Sequence, residues 1–572
     1  MMKRIILLTV AAVMCCTMML AAPAKPVPFT HTQTDGTTVT LMMRGGERNH
    51  SLMTLDGLTV GRDDQGNYCY TVDGVMSDVL AHDKEARGVE EQAFVIVYRD
   101  WMILSTDASR RQPRREEVND HPQVPTMGSP RIPIILVNYT DVKFIDEDPA
   151  ATFQNQFNQE EYSCLHYFES QSRGLFSPRF DILGPVELPQ TRTFYGANIR
   201  KFGQEVDGQL GTMVHDACTG ISGVDFADYD NDGDDVVDVV VVLYAGVGEA
   251  QAWRSVPESV WPCQWDMAES YSWGCSDTGP FQLDGVTINK FAVFNELEGS
   301  TDASRNIDGI GTFCHEFGHC LGLPDFYPTN GASYYGMSTW DVMDSGCYLN
   351  NGYTPAGYSS YERHFMGWME LIDPEVNTRY QLAPLNSDGG DAVKVVNDAN
   401  PDEYYLLEYR VKSEWDAYLP AEGILILHVD YDKTAWDENS PNNQATHPRM
   451  SIIPADNKLS GGSNKTDTWP YMSLDSLTNN SVPAATVYTG DYMNKPITGM
   501  KVDSKSHTAW FWYIKSPDLP GDVNGDGSVN IADINMLINA ILSASYADEL
   551  DVNGDGSINI ADINFVINQI LS

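Results

Sequence analysis

The string HEFGHCLGLPD, from His315 to Asp325, holds two imidazoles four positions apart, an acid between them, a glycine and a second acid. An α-helix turns about 100° per residue, so positions i and i+4 share a face and His315 and His319 can present both rings to one divalent ion. On the same wheel Ile310, Phe313, Phe317 and Leu321 gather on the opposite side, which gives the helix one face for a core and one for a metal. Gly322 stands where a helix that closes in a left-handed residue commonly places glycine, and a reversal there can bring Asp325 back to the same ion. Two imidazoles and a carboxylate leave a fourth position for water, the ligand set of a catalytic rather than a structural zinc. Glu316 adjoins a ligand yet points off its axis, where it can take a proton from a water that the ion polarises. The expected chemistry is hydrolysis of a carbonyl compound such as a peptide bond. Glu362, in YSSYERHFMGW, is the alternative third ligand, and an inert helix with a buried histidine pair is the alternative to the whole site.

Two other stretches concentrate oxygen ligands. DYDNDGDDVVD sets Asp228, Asp230, Asp232, Asp234 and Asp238 around a sharp turn expected at Gly233, which suits calcium; an acidic turn feeding a strand is the plainer reading. At the C-terminus DVNGDGSVNIADINMLINAIL recurs as DVNGDGSINIADINFVINQIL, offset by 29 residues. Each copy places oxygens at calcium-loop positions 1, 3, 5, 7, 9 and 12. In the first these are Asp522, Asn524, Asp526, the Ser528 carbonyl, Asn530 and Asp533; in the second Asp551, Asn553, Asp555, the Ser557 carbonyl, Asn559 and Asp562. Apolar residues at helical spacing follow each loop, so each unit is a calcium loop feeding one helix.

The elements that must position the histidines come before them. IPIILVNYTD from Ile132 reads as a buried strand, YSCLHYFESQS as a helix, and VVDVVVVLYAG and INKFAVFNEL as further strands, so a mixed sheet backed by helices is expected. Residues 25–125 alternate short apolar runs with turn signals and end in SRRQPRREEVNDHPQVP, where Arg110, Arg111, Arg114 and Arg115 form an exposed basic stretch open to nicking. That segment reads as a removable pro-segment, with a plain linker as the alternative; its thiol, Cys69, is a candidate cap for the metal. After residue 371 strands such as YYLLEYR and GILILHVDYD dominate.

The length of 572 residues requires several cores. A formal charge of −44 repels phosphate backbones and anionic lipid, which argues against nucleic acid as a partner. MMKR, an apolar run and AAPAKP describe a secretory signal peptide over residues 1–24, and no later run is long enough to span a membrane. Eight cysteines follow the signal. Export permits disulfides, with Cys263 and Cys275 the nearest loop pair, while Cys314 and Cys320 read as packed thiols or disulfide partners rather than metal ligands.

HEFGHCLGLPD, IPIILVNYTDVKF, YFESQSRGLFSPRFDILGPVELP, DYDNDGDDVVDVVVVLYAG, YYLLEYR and GILILHVD together resemble the immune inhibitor A family of secreted metallopeptidases over roughly residues 50–460. The resemblance implies an α+β, metzincin-like zinc endopeptidase made as a zymogen, with a methionine turn that WDVMDSG and Met343 match. Tyr348 or Tyr353 after that turn would assist the oxyanion. The C-terminal repeat resembles a dockerin, whose family role is to bind a cohesin-bearing scaffold or surface protein.

The expected organisation is a signal peptide at 1–24, a small β-rich pro-segment at 25–125, a catalytic domain with mixed sheet and active-site helix at 126–370, a β-rich domain at 371–516 and a small α-helical dockerin at 517–572. The expected role is a secreted, surface-held endopeptidase with Zn2+ and Ca2+, acting on protein or peptide substrates. A catalytically idle binding or adhesion protein on a cohesin scaffold is the rival, and a carbohydrase has no placeable pair of carboxylates behind it.

Overall fold

The run RIPIILVN forms a strand because its alternation is lost: all but its first residue are buried, as befits a strand covered on both faces. A computed structural model describes residues 20–571 apart from 48, 73–74, 89–90, 93, 96–121, 202–203, 333, 460–463, 516–520, 524–528 and 544–549. The expected core of the signal peptide and the basic linker lie outside the described residues. Two compact units form. The first takes the described residues of Met1–Tyr358, Phe365–Trp368 and Tyr431–Pro448; the second takes Ser359–His364, Met369–Asp430 and those of Arg449–Ser572. The boundary expected near 370 is therefore crossed more than once, because chain beyond 430 returns to the first unit.

The first unit is built on a six-stranded sheet: β1 (Leu20–Ala21), β2 (Arg131–Asn138), β3 (Arg179–Glu187), β4 (Val240–Val247), β5 (Cys263–Asp266) and β6 (Lys290–Leu297), in the spatial order β1-β5-β6-β4-β2-β3. The strands β3, β2, β4 and β6 are parallel, while β5 runs antiparallel to β6 and β1 antiparallel to β5. This is the mixed sheet that the sequence pattern leads one to expect. Helices α1 (Pro149–Asn158), α2 (Cys164–Ser172), α3 (Leu210–Gly220) and α4 (Gly311–Cys320) pack with it. On α4, Phe313 lies 4.8 Å from the Phe157 ring and 5.2 Å from Phe294, and Phe317 lies 5.2 Å from Phe168. Each such ring contributes about 1.5–3 kcal/mol by leaving water, which is what fixes the rotation of α4 about its axis.

The N-terminal segment adds two small antiparallel sheets, Phe29–Thr32 with Thr38–Gly46 and Asn49–Thr54, and Val60–Arg62 with Tyr68–Val72 and Val75–Leu80. Val39, Leu41, Leu58, Val60, Tyr70, Ala81 and Val95 form their core. All eight described cysteines are buried thiols, and none forms a disulfide. Cys263, expected in a loop, is in β5.

In the second unit β7 (Ala392–Asn397), β8 (Asn400–Arg410), β9 (Gly423–Asp430) and β10 (Met450–Ile452) make an antiparallel sheet, and Thr378–Leu382, Ile497–Asp503 and Thr508–Tyr513 make another. Arg410, fully buried, forks onto Asp416 at 2.7 and 2.9 Å and reaches Glu408 at 3.0 Å. At the C-terminus the helices Ile531–Ser543 and Ile560–Leu571 share a core of Ile534, Leu537, Ala540, Leu550 and Val566. No helix of the described residues is long and apolar enough to cross a membrane.

Candidate metal centre

Helix α4 ends as its sequence predicts. Gly322 has φ +99°, its N–H donates to the His319 carbonyl at 2.9 Å, and the Leu323 N–H donates to the Gly318 carbonyl at 3.1 Å. This Schellman closure needs a residue without Cβ at 322, and it turns the chain back along the helix. The reversal delivers Asp325: its Oδ1 lies 3.0 Å from His315 Nε2 and 3.3 Å from His319 Nε2. All three side chains are buried. A second glycine is set by close approach. A Cβ at Gly318 would stand 2.5 Å from the Met343 sulphur and 3.0 Å from the Tyr358 hydroxyl, so Met343 presses on the helix between its two histidines.

The protonation of the rings follows from their other nitrogens. Nδ1 of His315 lies 2.8 Å from the Val342 carbonyl, and Nδ1 of His319 lies 2.8 Å from the Leu323 carbonyl. A carbonyl can only accept, so Nδ1 carries the hydrogen in each ring and Nε2 of each neutral imidazole keeps its lone pair. Burial drives His319 below the ordinary histidine range, which favours that neutral form. Both Nε2 atoms and Asp325 Oδ1 are buried and accept no hydrogen bond. Three lone pairs converging in the dry interior repel one another unless a cation sits among them. The donor set of two imidazoles and a carboxylate, with both second nitrogens anchored, fits a zinc ion.

Glu316 is fully buried, and neither carboxylate oxygen has a hydrogen-bond partner. Burial, then the negative charge of Asp325, holds its carboxyl well above the usual range. The nearby N–H groups of Ala22 and Gln264 offset this rise in part. A carboxyl held near a hydrolytic centre with a raised proton affinity is suited to taking a proton and giving it up again.

The chain segment over the centre is the N-terminal one. Leu20–Ala21 pairs with Cys263–Gln264 of β5, and Ala21, Ala22 and Ala24 are buried. Their small side chains let the strand pass beneath the Thr38–Gly46 strand, whose Gly45 carbonyl accepts from the Ala24 N–H at 2.7 Å. Within the tail of the expected signal peptide, Leu20–Ala21 thus forms a strand on the edge of β5. Cys69 does not cap the metal; it is buried in the Tyr68–Val72 strand and is not part of the His315, His319, Asp325 group.

Other expected positions divide. Glu362 is absent from that group, and its Oε2 instead accepts from the Ser359 N–H at 2.5 Å and Oγ at 2.8 Å. Asp230, Asp232 and Asp238 come within 4.8 Å of one another, and Gly233 has φ +78° as the turn requires. Asp228 pairs with Arg131 at 2.8 Å instead, and Asp234 accepts from the Val236 N–H at 2.9 Å. Burial pushes the Asp238 carboxyl up to about 6. In the C-terminal repeat Asn524, Asp526 and Ser528 lie outside the described residues. Asp522 and Asn530 flank that gap, and the buried Asp533 accepts from the Val523 and Asn530 N–H groups at 2.7 and 2.9 Å. In the second loop Asp551 accepts from the Gly556 N–H at 2.7 Å, Asn553 from the Asp555 N–H at 2.9 Å and Asp555 from the Ser557 N–H at 2.9 Å. The buried Asp562 accepts from Asn559 N–H at 2.8 Å.

Sequence reasoning missed Asn439. Its Nδ2 donates to Asp325 Oδ2 at 2.6 Å, and its Oδ1 accepts from the Asp325 N–H at 2.6 Å. Nothing local to HEFGHCLGLPD signals a partner 114 residues away. It missed Tyr327 as well, although the residue is only two beyond Asp325.

Two stretches of the chain match known protein families. Residues 137–369 match the family described as immune inhibitor A peptidase M6, catalytic domain, and residues 520–571 match the dockerin type I domain. The chain is 25% identical over 297 residues to immune inhibitor A of Bacillus thuringiensis subsp. alesti, covering 42% of this chain and 41% of the relative. It is 25% identical over 251 residues to the pre-pro-metalloprotease PrtV of Vibrio cholerae serotype O1, covering 40% of this chain and 26% of that one. The chain therefore spans less than half the length of these curated relatives.

Proposed function

From a chain whose residues 137–369 are an immune inhibitor A peptidase M6 domain and whose residues 520–571 are a dockerin type I domain, we propose a secreted zinc endopeptidase that acts on protein substrates and is tethered through its dockerin to a cohesin. The observation that carries this reading is the convergence of His315 Nε2, His319 Nε2 and Asp325 Oδ1, three buried acceptors with no hydrogen, beside a buried Glu316.

Bound zinc supplies Lewis-acid polarisation of the carbonyl and of water. The chain does the rest. The carbonyls of Val342 and Leu323 hold both imidazoles in one tautomer, and Asn439 fixes the Asp325 carboxylate. Glu316 takes the proton of the attacking water and passes it to the amine that leaves. Ala21 lines one cavity with Asp325 and Tyr327, so the chain is latent while residues 20–24 remain attached, and cleavage of the expected signal peptide after residue 24 removes them. Calcium belongs to the same proposal, at the two dockerin loops and at Asp230, Asp232 and Asp238, whose carboxylates repel one another in the absence of a cation.

The test is hydrolysis of casein by protein purified after export, with zinc content measured in parallel. Activity that a chelator removes and zinc restores supports the reading. Protein that is fully zinc-loaded, freed of its N-terminal segment and still inert is a binding protein with an idle centre.

A further inference from the structure

The peptide bond between Ala21 and Ala22 is held from both ends. The Ala21 carbonyl accepts from the Tyr327 hydroxyl, and the Ala22 N–H of the same bond donates to the Pro262 carbonyl at 3.2 Å. Ala21, Asp325 and Tyr327 line one cavity of about 280 Å3, and the Tyr327 ring lies parallel to that of His315 at 6.5 Å. The next two carbonyls are also taken by side chains: Ala22 by Trp261 Nε1 at 2.9 Å and Pro23 by the Tyr348 hydroxyl at 2.6 Å. Three consecutive carbonyls each meet a donor of the catalytic unit, while the strand pairs antiparallel to β5. That is the geometry of an extended peptide read through its backbone.

We propose that Tyr327 is the oxyanion donor of this peptidase, and that the Ala21–Ala22 bond occupies the position of the scissile bond. The assignment rests on the peptidase reading above. It replaces the expectation that Tyr348 or Tyr353 has this role: the Tyr353 hydroxyl donates to the Ile307 carbonyl at 2.7 Å, and Tyr348 holds a carbonyl two residues further along. In the reaction the water oxygen bonds to the carbonyl carbon, the π pair moves to the carbonyl oxygen, and the water proton goes to Glu316. Tyr327 donates to the oxygen as its charge grows. When the carbon–nitrogen bond breaks, the nitrogen takes the proton from Glu316 and the carbonyl reforms. Tyr327 already meets the neutral carbonyl, but its hydrogen bond strengthens as charge grows on that oxygen, so most of its loss falls on kcat. Trp261 and Tyr348 hold carbonyls that do not change charge, and their loss falls on KM.

The experiment compares Tyr327→Phe and Tyr348→Phe in zinc-loaded protein purified after export, with zinc stoichiometry as the check on folding. For Tyr327→Phe the expected result is a fall in kcat of about 100-fold with KM within about two-fold, as for loss of one oxyanion donor. Affinity for a phosphinic pseudopeptide, whose tetrahedral phosphorus carries the charged oxygen, falls by a similar factor, while affinity for a product peptide holds. For Tyr348→Phe a raised KM with unchanged kcat is expected. A Tyr327→Phe protein with wild-type kcat and wild-type phosphinate affinity overturns the assignment. If the wild type binds zinc but hydrolyses nothing, the peptidase reading has failed on its own, and phosphinate affinity alone then decides whether Tyr327 holds the oxygen.

Discussion

Asn439 grips Asp325 twice, through its amide nitrogen on Oδ2 and its amide oxygen on the backbone N–H, both at 2.6 Å. The carboxylate is thereby locked with Oδ1 toward the two histidines. Replacing Asn439 by Ala leaves the ligands intact but frees Asp325 to rotate. Zinc affinity should fall by about 10–100-fold, the range for lost support of a metal ligand. Competition with a chromophoric chelator measures this, and an unchanged dissociation constant would show that packing alone orients Asp325.

Glu316→Gln keeps the volume and removes the base. We expect kcat to fall by at least about 100-fold, the lower end for a proton-transfer group, with one zinc per chain retained. Retained activity in that variant would move the base elsewhere.

How much of this centre could be seen in the sequence depends on the distance along the chain over which each part is specified. The two histidines, Glu316, the apolar face and the Gly322 closure are all set within one helix, and helical period alone relates them. Asp325 follows because the closure is itself local. Asn439 was not legible, since it sits in Tyr431–Pro448, which falls inside the span expected as a separate β-rich domain yet folds with the first unit. The N-terminal alanines carry two readings at once: AAPA satisfies a processing signal and a place against the β5 edge equally well, because both ask for small side chains. Of the five acids expected to act together, Asp228, Asp230, Asp232, Asp234 and Asp238, three converge, the others being drawn to Arg131 and to a backbone N–H that spacing could not reveal.

Glu296 gives the first unit a pH dependence. Its carboxylate accepts from the Ile145 and Gly246 N–H groups at 2.7 and 2.9 Å, yet burial, with Asp146 and Asp302 nearby, pushes its carboxyl up to about 7. In the unfolded chain it titrates at the ordinary value near 4.5. Between these values the folded state binds more protons than the unfolded one, so this group's contribution is full below about pH 4.5 and is lost as pH rises to about 7. The loss is about 3 kcal/mol. Thermal midpoints of Glu296→Gln across that window should fall less with rising pH than those of the wild type; parallel curves would rule the group out.

In the second unit, Arg410→Ala strands Glu408 and Asp416 in a dry core. A cost of about 3–5 kcal/mol is expected, as for removing one partner of a buried ion pair. Urea unfolding of the variant reads it, and a change within about 1 kcal/mol would mean that water enters the site.

The dockerin should respond to calcium independently of hydrolysis. Asp562→Ala removes the carboxylate that accepts from the Asn553 and Asn559 N–H groups, at 3.3 and 2.8 Å. Calorimetry should show loss of one calcium site and weakened capture by a cohesin, while casein hydrolysis is unchanged. A variant that loses both activities would tie the repeat to the catalytic unit.

The two imidazoles are kept in one tautomer by the main chain at Val342 and Leu323, and a carbonyl is the same whatever side chain accompanies it. Mutational drift at those positions can therefore proceed so long as the backbone keeps its course. The carboxylate has no such insurance, because its orientation leans on side chains, the amide at position 439 among them, and one substitution can remove a side chain. Over evolutionary time Asp325 is the vulnerable corner of the centre, and the histidines are its robust ones.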